Sequence, residues 1–195
     1  MGLLMDRPVM YQITNQSEVE RLYLELVDRF EKHRIEIIDS RIVVRELPTL
    51  THARIIYRLL LQLISAATEQ GLELLQEAKI FLNAQADRYE PDLIAVPTKA
   101  RQWDPNHVYA DSTFLVVEVV SPSSIDDDHV VKPRNCARAG VPLYLVIDAL
   151  DNKVRLLSRP SKDGYTHEVS VKLGDPFDLP APWNLTVDTG KLIEE

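Results

Sequence analysis

A single cysteine, Cys136, stands in 195 residues. That excludes an internal disulfide framework and any metal site built from several thiolates, and it fits a reducing compartment. No apolar run is long enough to cross a bilayer. The opening stretch Met1 to Met10 carries Asp6, Arg7 and Pro8 where a signal peptide would carry an apolar core, so a cytoplasmic protein with no membrane partner is expected. A dense basic run is also missing, and 22 Lys and Arg against 30 Asp and Glu leave a net charge of -8. Such a chain repels a phosphate backbone at long range. His33, His107, His129 and His167 lack the mutual spacing of a zinc site. Ser121 and Ser123 sit in a turn, not a nucleophile elbow, and Cys136 has no base near it in sequence.

What is present is an ordinary globular composition, 45% hydrophobic and 27% charged, long enough for one proper core. The reading is a single domain over 1–195. It has a flexible lead over 1–14, an N-terminal helix over 15–34, a core over 35–175 and a surface tail over 176–195. Val19, Leu22, Tyr23, Leu26 and Phe30 recur at helical spacing. Ile35 to Ile38 and Ile42 to Val44 flank a hairpin turn, and a strongly apolar helix runs from Thr51 to Gln70, stopped by Gly71. Strands are expected at Leu72–Leu75, Ala78–Leu82, Asp92–Val96, Phe114–Val120, Leu143–Asp148, Val154–Leu157, Tyr165–Val171 and Leu185–Val187. The polar stretch Pro97 to Ser112 reads as a loop, and a short helix begins near His129 to Lys132 and ends at Gly140. The crossover from Val120 to Leu143 predicts parallel neighbours. Together these give a mixed β-sheet flanked by helices, α/β or α+β.

Glu118 interrupts the apolar run Phe114-Leu115-Val116-Val117-Glu118-Val119-Val120. A carboxylate on a strand covered on both faces must be neutralised by a cation, a basic residue or a proton. Asp92 opens a second apolar strand behind Glu90-Pro91, and two carboxylates on adjacent strands suffice for Mg²⁺, which keeps several waters. Lys132 follows Asp128 by four residues and can reach back over the strand end, or stand solvated on its helix. The run Asp126-Asp127-Asp128 reads most simply as an exposed acidic turn before that helix. Alone, Asp92 reads as a turn residue and Glu118 as a structural ion pair about as readily as a site.

Four segments together resemble the Uma-two family of putative restriction endonucleases. They are Glu90-Pro91-Asp92-Leu93, Leu115 to Ser123, Asp128 with Lys132, and Ala139-Gly140-Val141-Pro142-Leu143-Tyr144 through Asp148. Upstream, Glu36 within Ile35 to Arg41 and His52 before the long helix also match. The resemblance implies a PD-(D/E)XK nuclease-like fold and a Mg²⁺- or Mn²⁺-dependent endonuclease acting on DNA. It assigns Asp92, Glu118 and the Val119 carbonyl to the metal and the motif's lysine role to Lys132, with Glu36, His52 and Asp128 around them. The sequence departs from the pattern in three places. Val120 stands two residues after Glu118 where the usual motif has its lysine, Cys136 replaces a common tyrosine, and Ser40 replaces a turn glycine. A homodimer would offer nucleic acid a larger groove than an acidic monomer. The competing expectation is a catalytically inactive binding module in which Lys132 simply neutralises Glu118.

Overall fold

The computed structural model describes residues 9–12, 16–30 and 33–193. In chain order its elements are β1 (Val9–Gln12), α1 (Gln16–Arg29), β2 (His33–Ile38), β3 (Arg41–Glu46), α2 (Leu50–Glu69), β4 (Leu72–Leu75), β5 (Lys79–Leu82), β6 (Asp87–Tyr89), β7 (Leu93–Pro97), β8 (Gln102–Asp104), β9 (His107–Tyr109), β10 (Leu115–Val119), α3 (Lys132–Arg138), β11 (Leu143–Asp148), β12 (Lys153–Ser161), β13 (Gly164–Lys172), β14 (Phe177–Leu179), β15 (Leu185–Val187) and α4 (Gly190–Ile193). Among the described residues they form a seven-stranded sheet ordered β1-β3-β2-β6-β5-β9-β8, a six-stranded sheet ordered β13-β12-β11-β10-β7-β4, and the ribbon β14-β15. No helix among them is long and apolar enough to cross a membrane.

Side-chain alternation along the strands sets the layers. In β2, Ile35 and Ile37 point outward to Val19, Tyr23 and Leu26 of α1, while Glu36 and Ile38 point inward. The inner core between the sheets gathers Ile38, Val43, Ile80 and Tyr89 from one side and Ile94, Val116, Tyr144 and Val146 from the other. On the far face of the six-stranded sheet, Leu93, Leu115, Val117, Val119 and Leu145 pack under Ile55, Leu59 and Leu63 of α2. Thr49 caps α2 by accepting the His52 N–H at 3.3 Å, and Gly71 follows its end at φ +67°. The crossover does join parallel neighbours, β10 and β11, with Glu118 opposite Val146.

Several expectations need correction. The first helix stops at Arg29, and His33 opens β2. The polar stretch read as a loop holds the short strands β8 and β9 and a 3-10 turn at Ala110–Ser112; three-residue strands are too brief for alternation to register. β6 was absent from the expected strands for the same reason. The tail does more than cover the surface, since Phe177, Leu179 and Trp183 are buried in the core under α2. Of the expected flexible lead, Val9–Gln12 pair with β3, and the rest lies outside the described residues. The acidic run is not an exposed cap: Asp126 is exposed, but Asp127 and Asp128 are buried in a π-helical turn over Asp127–Val131.

The hairpin turn explains the serine at a glycine position. Asp39 and Ser40 have φ of 48° and 60°, the left-handed pair that a two-residue hairpin demands. Asp87 offsets the strain by accepting the Asp39 and Ser40 N–H groups at 2.9 and 3.3 Å. Tyr89 donates to the same carboxylate at 2.9 Å.

Candidate functional site

β10 and β7 run antiparallel with Val117 opposite Leu93, so continuing the ladder by one step sets Asp92 beside Glu118. Pro91 ends pairing there and turns Asp92 to the strand end. Its Oδ2 accepts the Val119 N–H at 2.7 Å, and its Oδ1 accepts from Arg34 Nη2 at 2.8 Å. His52 Nε2, from the first turn of α2, lies 2.9 Å from Oδ2 without hydrogen-bond alignment. Burial alone would raise the Asp92 carboxyl. The His52 ring, the Arg34 charge and the Val119 N–H outweigh it and hold the group well below the usual carboxylate range.

Glu118 points into the layer between the sheets, the side from which Arg34 reaches Asp92. Lys132 Nζ lies 2.9 Å from Glu118 Oε1, 3.0 Å from Glu36 Oε1 and 3.3 Å from Asp128 Oδ1. Of the two placements open to Lys132, the structure shows the one that reaches back over the strand end: the residue is buried at 2% exposure, where a π turn leads into α3. Glu36 also accepts the Glu90 N–H at 2.9 Å, and its Oε2 lies 3.5 Å from Arg45 Nε. Arg45 in turn pairs with Asp127 and donates to the Ser123 carbonyl. Arg41 reaches Asp127 at 3.3 Å.

This cluster sets Glu36, Asp92, Glu118, Asp127 and Asp128 against Arg34, Arg41, Arg45 and Lys132. Burial pushes the Glu118 carboxyl well up; Lys132 opposes that, while Asp128, Asp92 and Glu36 add to it. Asp128 is raised for the same first reason, burial. Burial would lower Lys132, but Glu118, Glu36 and Asp128 hold it protonated. Glu36, also opposed by burial, is drawn below its ordinary value by Lys132, Arg45 and Arg34. One ammonium therefore serves three carboxylates, and ionising all of them is costly. Glu36 Oε2 and Asp128 Oδ1 are buried without hydrogen-bond partners. Among the described residues no group of three or more His, Cys, Asp or Glu side chains is arranged to hold a metal ion. The donor chemistry still suits a hard divalent cation, which takes carboxylate oxygens, and the cations now on Asp92 and Glu118 belong to Arg34 and Lys132.

The structure thus brings Glu36, His52, Asp92, Glu118, Asp128 and Lys132 together, and Val119 gives its N–H to Asp92. Arg34, Arg45 and Asp127 were not foreseen. A signal for the first was available, since Arg34 and Glu36 share the inward face of a strand whose outward face is Ile35 and Ile37. Arg45 stands opposite Arg34 across the hairpin, which only the register reveals.

A family described as "putative restriction endonuclease", Uma2, matches residues 18–189. No curated protein matches the chain. Among solved structures, a chain described as a putative nuclease belonging to DUF820 from Anabaena variabilis superposes with a TM-score of 0.65 at 14% identity. The alignment covers 81% of this chain and 88% of that one. At that identity the likeness concerns the fold.

Proposed function

Because the chain belongs to the Uma2 family of putative restriction endonucleases, we propose that it is a metal-dependent endonuclease hydrolysing DNA phosphodiester bonds at the Asp92–Glu118 strand ends. The observation that carries this reading is the buried ionic cluster itself. A stack of carboxylates that burial drives toward protonation stabilises a domain less than apolar packing of equal volume would, so its presence argues for chemistry. Asp92 and Glu118 would hold Mg²⁺ or Mn²⁺, with the Val119 carbonyl as a further oxygen. When bound, the cation would activate water and neutralise charge developing on the phosphate.

The chain's own groups do the rest. Arg34, released from Asp92, offers a planar guanidinium to a non-bridging phosphate oxygen. Lys132, held beside Glu118 at 2.9 Å, supplies a fixed positive charge for the developing oxyanion. Glu36 and Asp128 keep Lys132 protonated and oriented, and His52 steers the Asp92 carboxylate. DNA as substrate, a homodimer as the working unit and a cytoplasmic setting complete the proposal.

The test is nicking of supercoiled plasmid with Mn²⁺ or Mg²⁺. Wild type is expected to nick, chelator to stop it, and Asp92→Ala and Glu118→Ala each to abolish it. The reading fails when wild type cleaves neither duplex nor single-stranded DNA with either metal. One contact favours a second reading: Lys132 already neutralises Glu118, as a catalytically inactive binding module would require. That reading predicts a folded protein with no metal-dependent cleavage at all.

A further inference from the structure

Helix α2 is apolar on both sides. Ile55, Ile56, Leu59 and Leu63 are buried against the sheet, yet Leu50, Tyr57, Leu61 and Ile64 remain 48–67% exposed. Positions 50, 54, 57, 61, 64 and 68 recur every three or four residues and form one stripe on the outer face. A helix apolar all round is normally covered all round. Leu47, before the helix, and Ile193 of α4 widen the strip and are likewise exposed. Ile193 lies alongside because Arg58 of α2 donates to the Leu192 carbonyl at 3.0 Å.

The charges on this face say what covers it. Arg54 and Glu69 are exposed, and among the described residues neither side chain has an ion pair or hydrogen bond. Each opposes its own helix dipole, with the cation near the amino end and the carboxylate in the last turn. Arg54 and Glu69 lie seven and eight residues from Leu61, and the apolar Tyr57 and Ile64 lie four and three from it, so the charged and the apolar pair share a midpoint close to Leu61. A two-fold axis through that midpoint, relating two antiparallel α2 helices, brings each Arg54 against Glu69 of the second copy. It also stacks Leu61 on Leu61 and sets Tyr57 against Ile64 and Ser65. Antiparallel pairing joins the same flank of both helices, so the salt bridge forms twice. Such self-complementarity is what an isologous interface requires, whereas an unrelated partner would impose no symmetry on the charges.

From this placement we infer that α2 is the dimer interface, its occupant a second copy of this chain packed antiparallel about Leu61. The two helices would overlap from residue 54 to residue 69, about 24 Å at 1.5 Å per residue, with exposed Leu47 and Ile193 adding apolar surface beside them. The inference names the surface for the homodimer proposed above, and it stands or falls independently of cleavage.

Sedimentation velocity over a concentration series tests it, with wild type expected as a dimer. Leu61→Glu should weaken association at least about tenfold while leaving the melting curve nearly in place, since the residue is 55% exposed in the monomer. Arg54→Glu and Glu69→Arg should each weaken it roughly tenfold by setting like charges together twice. The double variant R54E/E69R should return to within about threefold of wild type. Should Leu61→Glu fail to fold, the charge-exchange set decides alone. A wild type that stays monomeric throughout, a dimer indifferent to the single charge reversals, or a double variant no stronger than the singles would overturn the antiparallel α2 pairing.

Discussion

The two faces of β10 solve opposite problems. Leu115, Val117 and Val119 point toward α2 into a core of aliphatic and aromatic side chains. Val116, Glu118 and Val120 point the other way, into a layer where hydrophobic side chains share space with Glu36, Asp128 and Lys132. Both faces are equally dry. The α2 side gains stability from every atom it buries. The inner side pays desolvation for each charge and recovers it only while all the partners are present. Within one strand, then, alternate residues meet different surroundings, apolar packing on one side and a network of buried charges on the other.

The sharpest way to break this contrast is to remove one partner from the ionic face. Lys132→Ala leaves Glu36, Glu118 and Asp128 facing one another, and chemical denaturation should show a loss of about 3–5 kcal/mol. Replacing the charges on both sides of the contact, as Glu118→Gln with Lys132→Met, should recover at least half of that loss. Two equal losses would mean that the cluster is not acting as a charge-balanced unit. On the apolar face the loss comes from an empty volume. Leu63→Ala should cost about 3 kcal/mol, within the usual range for a buried leucine, and no second-site charge change should rescue it.

A smaller effect separates the faces by pH. Burial pushes the Asp87 carboxyl up to about 6, against the hydrogen bonds it accepts from Asp39, Tyr89 and Ser40. The folded state then binds more protons than the unfolded one between the ordinary aspartate value near ~3.9 and about 6. Stability due to this group is therefore present at the acid end of that window and lost as pH rises through it. Wild type compared with Asp87→Asn in urea titrations across the window should lose on the order of 2 kcal/mol relative to the variant. A constant difference between the two proteins would contradict the assignment.

How far this was readable beforehand follows from period and length. Long elements declared themselves: α2 by its apolar stripe, β10 and β11 as continuous apolar runs, the crossover by its length. Glu118 stood out because an apolar strand made it costly. The acidic run misled because Asp127 and Asp128 look like helix-capping residues, and only the π turn, a tertiary accommodation, rotates them inward. Arg45 could not be assigned to the cluster without knowing that β2 and β3 pair in the register that sets it opposite Arg34. β6, β8 and β9 were invisible for want of length. The buried tail residues Phe177, Leu179 and Trp183 belong to a segment whose prolines signal a surface path.

A cation on the inner face would be held by Asp92 and Glu118, and calorimetric titration with Mn²⁺ tests this without depending on a substrate. Wild type should bind one ion per chain. Asp92→Asn and Glu118→Gln should each weaken binding at least about tenfold, as loss of a charged ligand does, with circular dichroism unchanged. A wild type that takes up no Mn²⁺, or one whose affinity survives both substitutions, would contradict it.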